Sequence, residues 1–256
     1  MELGYNYRML KTIVLIFLLS LSLSAGTLHI AVAANVSYAI PKLVQVFTRT
    51  HPDTKVQVTL GGTGKLVAQI RHGAPYDLLM AADMAYPHAL YNEGLATDKP
   101  RIYARGALAL LSTKERDFSR GLEMLTSPAI RTIAIANLKT APYGKASFEA
   151  LHKAGLLRKL QSKFVYGESI SQTVAHTLTA ADCGFIARSS LYSPRVAQYK
   201  EGKQWIAVDP TLYNPIDQGM VILSTAKANA EVRAWYEYML SPEAGEILQA
   251  YGYTLP

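Results

Sequence analysis

From residue 27 onward, short apolar runs alternate with stretches in which apolar residues recur every three or four positions. The run TLHIAVA at 27–33 reads as a strand. Ile40, Leu43, Val44 and Phe47 then share one face of a helix, with Pro41 in its first turn, where a missing N–H costs little. A second strand is predicted over 56–60. A helix follows over 64–72, with Leu66, Val67 and Ile70 on one side and Gly73 and Pro75 ending it. A third strand over 77–81 and a short helix over 87–92 complete the first half of the pattern. Further strands are expected at 107–111, 132–136, 164–166, 183–187, 205–208 and 220–223, with helices around 147–154 and 171–180. Two helices close the chain. Val232, Trp235, Tyr236 and Met239 form one stripe of the first, and Ser241 and Pro242 read as N-cap and first residue of the second.

Apolar strands alternating with helices imply mostly parallel sheets covered on both faces. A single sheet of about nine strands would be long. The expected architecture is therefore an α/β fold of two Rossmann-like lobes joined by crossover strands, with a cleft at the carboxyl ends of the strands. The lobes are expected to comprise residues 26–105 with 219–256, and 106–218. No linker, low-complexity run or repeat separates them.

Residues 1–25 follow a different rule. Arg8 and Lys11 precede an apolar and Ser/Thr run over 12–23, and the small residues Ser24, Ala25 and Gly26 follow. That order is the one of a cleaved export signal and points to a periplasmic location. The run is short for a membrane span, so an uncleaved anchor is the lesser alternative. Met9 would start an equally good signal. No cysteine lies near the cleavage region to accept a lipid.

Composition narrows the classes. Half of the 256 residues are hydrophobic and 18% charged, enough for a sizeable core and unlike a disordered chain. The single cysteine, Cys183, excludes a disulfide scaffold or thiolate zinc cluster and reads as a buried strand residue. The formal net charge is +7. Loss of Glu2, Arg8 and Lys11 with the signal leaves +6, a balance that attracts anions. Nucleic acid is not an expected partner, because no basic patch is interleaved with aromatics.

The chemistry is expected at four turns that follow strands: AAN (33–35), GGTGK (61–65), APYG (141–144) and YGESIS (166–171). Each is read as joining a strand to the amino end of a helix, where unpaired N–H groups and partial positive charge bind anions. A phosphate loop is rejected: G-x-x-x-x-G-K-[ST] would need Gly at Thr59 and Ser/Thr at Leu66. Taken singly, each turn has a plainer reading. Asn35 and Thr63 can be helix caps, Tyr143 a turn residue and Ile170 a core residue. Their recurrence favours the anion site. The catalytic motifs H-E-x-x-H, C-x-x-C and G-x-S-x-G are missing, the six histidines lack metal-ligand spacing, and Asp77 and Asp83 read as structural. No enzyme and no cofactor is expected.

The segments AVAAN, LGGTGKLVAQIRHGAPYDLLMAAD, TAPYGKASFEAL, GFIARS and YEYMLSPEAGEILQAYGY resemble the molybdate-binding periplasmic proteins of ABC transporters, over nearly the whole chain after the signal. The resemblance implies the type II periplasmic binding protein fold, hinge closure on the ligand, and delivery of molybdate or tungstate to a membrane permease by a monomer. Placed by motif, the implied oxyanion ligands are Asn35, Thr63, Tyr143 and Ile170, with no direct metal-ion ligand. Two positions depart from the enterobacterial branch: Asn35 stands in place of Ser, and Ala187 in place of a ligand Tyr, so Ala187 is not among the implied ligands. A cage of neutral donors has no acceptor for the proton of a protonated oxyanion, and would disfavour hydrogen phosphate. Sulfate or another small anion, and an exported enzyme on the same fold, are the alternatives.

Overall fold

A computed structural model describes residues 26–256; the expected export signal at 1–25 lies outside the described residues. The first sheet has the order β2-β1-β3-β10-β4, built from β1 (Thr27–Ala33), β2 (Lys55–Gly61), β3 (Leu78–Met80), β4 (Arg101–Gly106) and β10 (Ile216–Ile222). The second has the order β7-β6-β8-β5-β9, from β5 (Leu108–Leu111), β6 (Ile133–Ala136), β7 (Phe164–Gly167), β8 (Cys183–Ala187) and β9 (Trp205–Ala207). The two-lobed α/β architecture is as expected.

Side-chain alternation along β1 explains the layering. Leu28, Ile30 and Val32 point to one face, where α1 (Ile40–Thr50), α7 (Ala230–Met239) and α8 (Pro242–Ala250) bring Leu43, Phe47, Trp235 and Leu248. Ala31 points to the other, against Leu66, Val67 and Ile70 of α2 (Thr63–Arg71) and Leu90 of α3 (Ala85–Asn92). In the second sheet, Leu108, Leu110, Ile133 and Phe185 meet α4 (Pro142–Lys153) and α5 (Leu157–Leu160). Ala109, Leu111 and Ile186 lie on the opposite face with Val174 of α6 (Ile170–Thr179). Each fully buried Leu, Ile or Phe contributes about 1.5–3 kcal/mol.

Four strands of each sheet run in one direction, as expected of mostly parallel sheets, but β10 lies antiparallel between β3 and β4, and β5 antiparallel between β8 and β9. These two are the strands by which the chain enters its second sheet and returns to its first. The predicted strand at 107–111 proves to be the second of two, with β4 ending at Gly106 and β5 starting at Leu108. The C-terminal segment lies against β4: Arg105 donates its N–H to Thr254 O (2.7 Å) and Thr254 returns one to Arg105 O (2.9 Å). That pairing carries Tyr253 under the start of the cleft.

Candidate anion-binding site

The chain leaves β1 in a 3-10 turn, Ala34–Val36, and α1 begins only at Ile40. The first expected junction is therefore a tight turn and not a direct strand-to-helix passage, and Asn35 caps no helix. At the second junction Gly62 is the N-cap and Thr63 the first residue of α2. The Thr63 hydroxyl does not cap; it accepts the Ala82 N–H at 3.1 Å. That bond uses a lone pair and leaves the hydroxyl proton free to donate. At the third, α4 starts five residues earlier than its apolar spacing suggested, with Pro142 first and Tyr143 second. At the fourth, Ile170 opens α6, and Ser169 caps it by accepting the Gln172 N–H at 3.2 Å. Thr63, Tyr143 and Ile170 so present N–H groups for which no preceding helical turn supplies a carbonyl.

Asn35, Thr63, Tyr143 and Ile170 line one small cavity between the lobes. All four are at least 96% buried, and no Asp, Glu, Lys, Arg or His is among the lining residues. Lys65 is exposed and belongs to a wider groove outside, where Glu168 also lies. Hydrogen bonds from neutral donors to an ion in so dry a site are strong. Burial, with the neighbouring Tyr253 and Tyr103 phenols, pushes the Tyr143 hydroxyl well above its usual pKa, so it stays neutral.

Bonds cross the cleft. Gly64 N–H donates to Thr140 O (2.9 Å) and the Tyr86 hydroxyl to Lys139 O (2.9 Å). Ser171 Oγ donates to Ala34 O (3.2 Å) and Ser189 Oγ to Asn35 O (2.8 Å). The Asn35 amide reaches Gln218 Oε1 (2.7 Å), Tyr253 Oη (2.9 Å) and, more weakly, Tyr143 Oη (3.4 Å). The lobes are thus drawn together. Asn35 Oδ1 is buried without a hydrogen-bond partner.

Gln218, Tyr253, Ser171 and Ser189 were not singled out by sequence reasoning. Gln218 carried a signal nonetheless, as an uncharged polar residue that precedes the apolar end of β10. Elsewhere the sequence reading of polar groups as structural is supported. Asp77 accepts the His29 N–H, Asp83 that of Tyr86, and His72 bonds Ala68 O at the end of α2. Cys183 is fully buried, and burial pushes its thiol up to about 11.

The model of the family described as bacterial extracellular solute-binding protein matches residues 28–254. The molybdate-binding protein ModA of Azotobacter vinelandii is 37% identical over 244 residues, covering 93% of this chain and 94% of that protein. ModA of Rhodobacter capsulatus is 35% identical, covering 92% and 91%. The solved structure of the periplasmic molybdate-binding protein of Azotobacter vinelandii superposes with a TM-score of 0.82 at 32% identity, covering 90% of this chain and 99% of that one. The chain belongs to the ModA family of bacterial extracellular solute-binding proteins.

Proposed function

We propose that this protein is the periplasmic solute-binding component of an ABC importer, and that it captures molybdate, or tungstate, and delivers it to the membrane permease. The observation that carries the reading is an uncharged cavity onto which the Asn35 turn and the starts of α2, α4 and α6 converge. A small dianion gains most from N–H and O–H dipoles whose directions the turns and helix starts already fix. In this reading Thr63 donates its hydroxyl and N–H, and Asn35, Tyr143 and Ile170 donate backbone N–H groups. The protein binds and releases; it does not catalyse. The two connections through Ala107 and through 208–215 act as the hinge between lobes 26–105 with 219–256, and 106–218. The chain works as a monomer after removal of residues 1–25.

The test is thermal melting of the purified mature chain with molybdate, tungstate, sulfate and phosphate. Binding to the folded state alone raises the melting temperature. Stabilisation by micromolar molybdate and tungstate, and not by equal phosphate, is expected; no shift with any oxyanion refutes the reading.

A further inference from the structure

The Asn35 turn is held from below by a chain of polar side chains whose directions are all fixed. Gln218 sits on β10 and is fully buried. Its Nε2 donates to Ile216 O (2.9 Å) and Ala82 O (3.4 Å). Carbonyls accept and cannot donate, so the amide cannot be turned over, and its Oε1 must face Asn35. The 2.7 Å contact from Asn35 Nδ2 answers that acceptor. Asn35 cannot be turned over either, since an oxygen would then face Gln218 Oε1. Tyr253 closes the chain, accepting from Asn35 Nδ2 (2.9 Å) and donating to Asn35 O (2.8 Å). Ser189 donates to the same carbonyl.

Two consequences follow. Both polar ends of Asn35 that face the hinge are taken, which leaves the N–H side of the turn to the cavity. The arrangement also leaves Asn35 Oδ1 buried and unpartnered. An orphaned acceptor costs stability, and a fold that only needed to be stable would fill this place with apolar side chains. We propose that Gln218 and Tyr253 are positioning residues of the anion site: through Asn35 they set the direction of the turn's donors, and they couple that turn to the return strand β10 and the C-terminal segment. This rests on the reading of the cavity as an oxyanion site.

The experiment is calorimetric titration of sodium molybdate into wild type, Gln218→Glu and Tyr253→Phe between about pH 6 and pH 8.5. A protonated Glu can still donate to Ile216 O and accept from Asn35. An ionised one would set an oxygen against two carbonyls and place a charge near the ligand. The titratable groups around it in the wild type are the Tyr103, Tyr143 and Tyr253 phenols, which burial holds protonated here, and Asp83, whose carboxyl burial pushes up. The Arg105–Asp217 pair lies beside it on the surface. The wild-type profile supplies the background of all of them.

The Kd ratio of Gln218→Glu to wild type is expected to rise about tenfold across this range, and Tyr253→Phe to bind several-fold more weakly with a circular dichroism spectrum like wild type. A parallel pH profile for Gln218→Glu, or unaltered affinity in Tyr253→Phe, overturns the proposal. If Gln218→Glu fails to fold, the Tyr253→Phe result decides alone. A wild type that binds no molybdate refutes the functional reading instead, and is seen before any variant is compared.

Discussion

Thr63 joins two parts of the site through one oxygen. Its lone pair takes the Ala82 N–H, and its proton remains for a ligand. Thr63→Ala removes a donor to a charged partner and should weaken molybdate binding by about 1.5–3 kcal/mol, while Thr63→Ser should stay close to wild type. Titration calorimetry measures both, and an alanine variant with wild-type affinity would take Thr63 out of the site. Tyr143 behaves differently. Its phenol lies 3.4 Å from Asn35 Nδ2 and is directed at the hinge side, against Gly106, where any side chain would collide with it. Tyr143→Phe should therefore change affinity by less than about 1 kcal/mol, as expected when a long hydrogen bond outside the ligand shell is lost. A loss as large as that of Thr63→Ala would place the hydroxyl on the ligand. The four residues that the family resemblance implied do line one cavity, and the turns after strands on which their motifs fall were legible from the apolar pattern. What Asn35 does with its amide was not legible. It depends on Gln218 and Tyr253, 183 and 218 residues away, and no local pattern encodes such a meeting.

At the scale of elements, apolar periodicity located nine of the ten strands and blurred what lies between them. β4 was missed because RIYARG begins and nearly ends on Arg, with only Tyr103 and Ala104 buried, so neither alternation nor an apolar run is visible. The antiparallel course of β5 and β10 was missed for another reason: a strand buried on both faces reads the same in either direction. The start of α4 was placed late because Pro142, Tyr143 and Gly144 look like a turn, although Pro is well suited to a first helical position. The start of α2 bears on closure. A Cβ on Gly64 would come within 2.9 Å of Thr140 Cα, which belongs to the opposite lobe, and 2.7 Å of the Tyr86 hydroxyl. The tyrosine tip can move, but the Thr140 backbone cannot move without separating the lobes. Gly64→Ala should leave the ligand-free melting temperature near wild type and raise the molybdate Kd about tenfold or more, since it acts against the closed form alone. Small-angle scattering should show a variant that stays expanded at molybdate levels that compact the wild type. Equal compaction would show that the approach at Gly64 is not needed for closure.

For the whole molecule, the basic balance and the neutral cavity make separate contributions. The formal net charge, +7 for the full sequence and about +6 without the signal, can draw an anion toward the surface, but the cavity wall itself carries no charged side chain. Within it, only Tyr143 can titrate, and its pKa lies well above 10 because burial penalises the phenolate. A group whose pKa exceeds the working range binds the same number of protons with and without ligand there, so it contributes no slope to the affinity. Molybdate is already a dianion at neutral pH. The Kd should accordingly be flat from about pH 6 to pH 9. An affinity that climbed tenfold per unit on acidification would mean that a proton enters with the ligand. The unpartnered Asn35 Oδ1 would then be the acceptor to examine first. Calorimetry in buffers of differing ionisation heat decides between the two, because proton-free binding gives the same enthalpy in each.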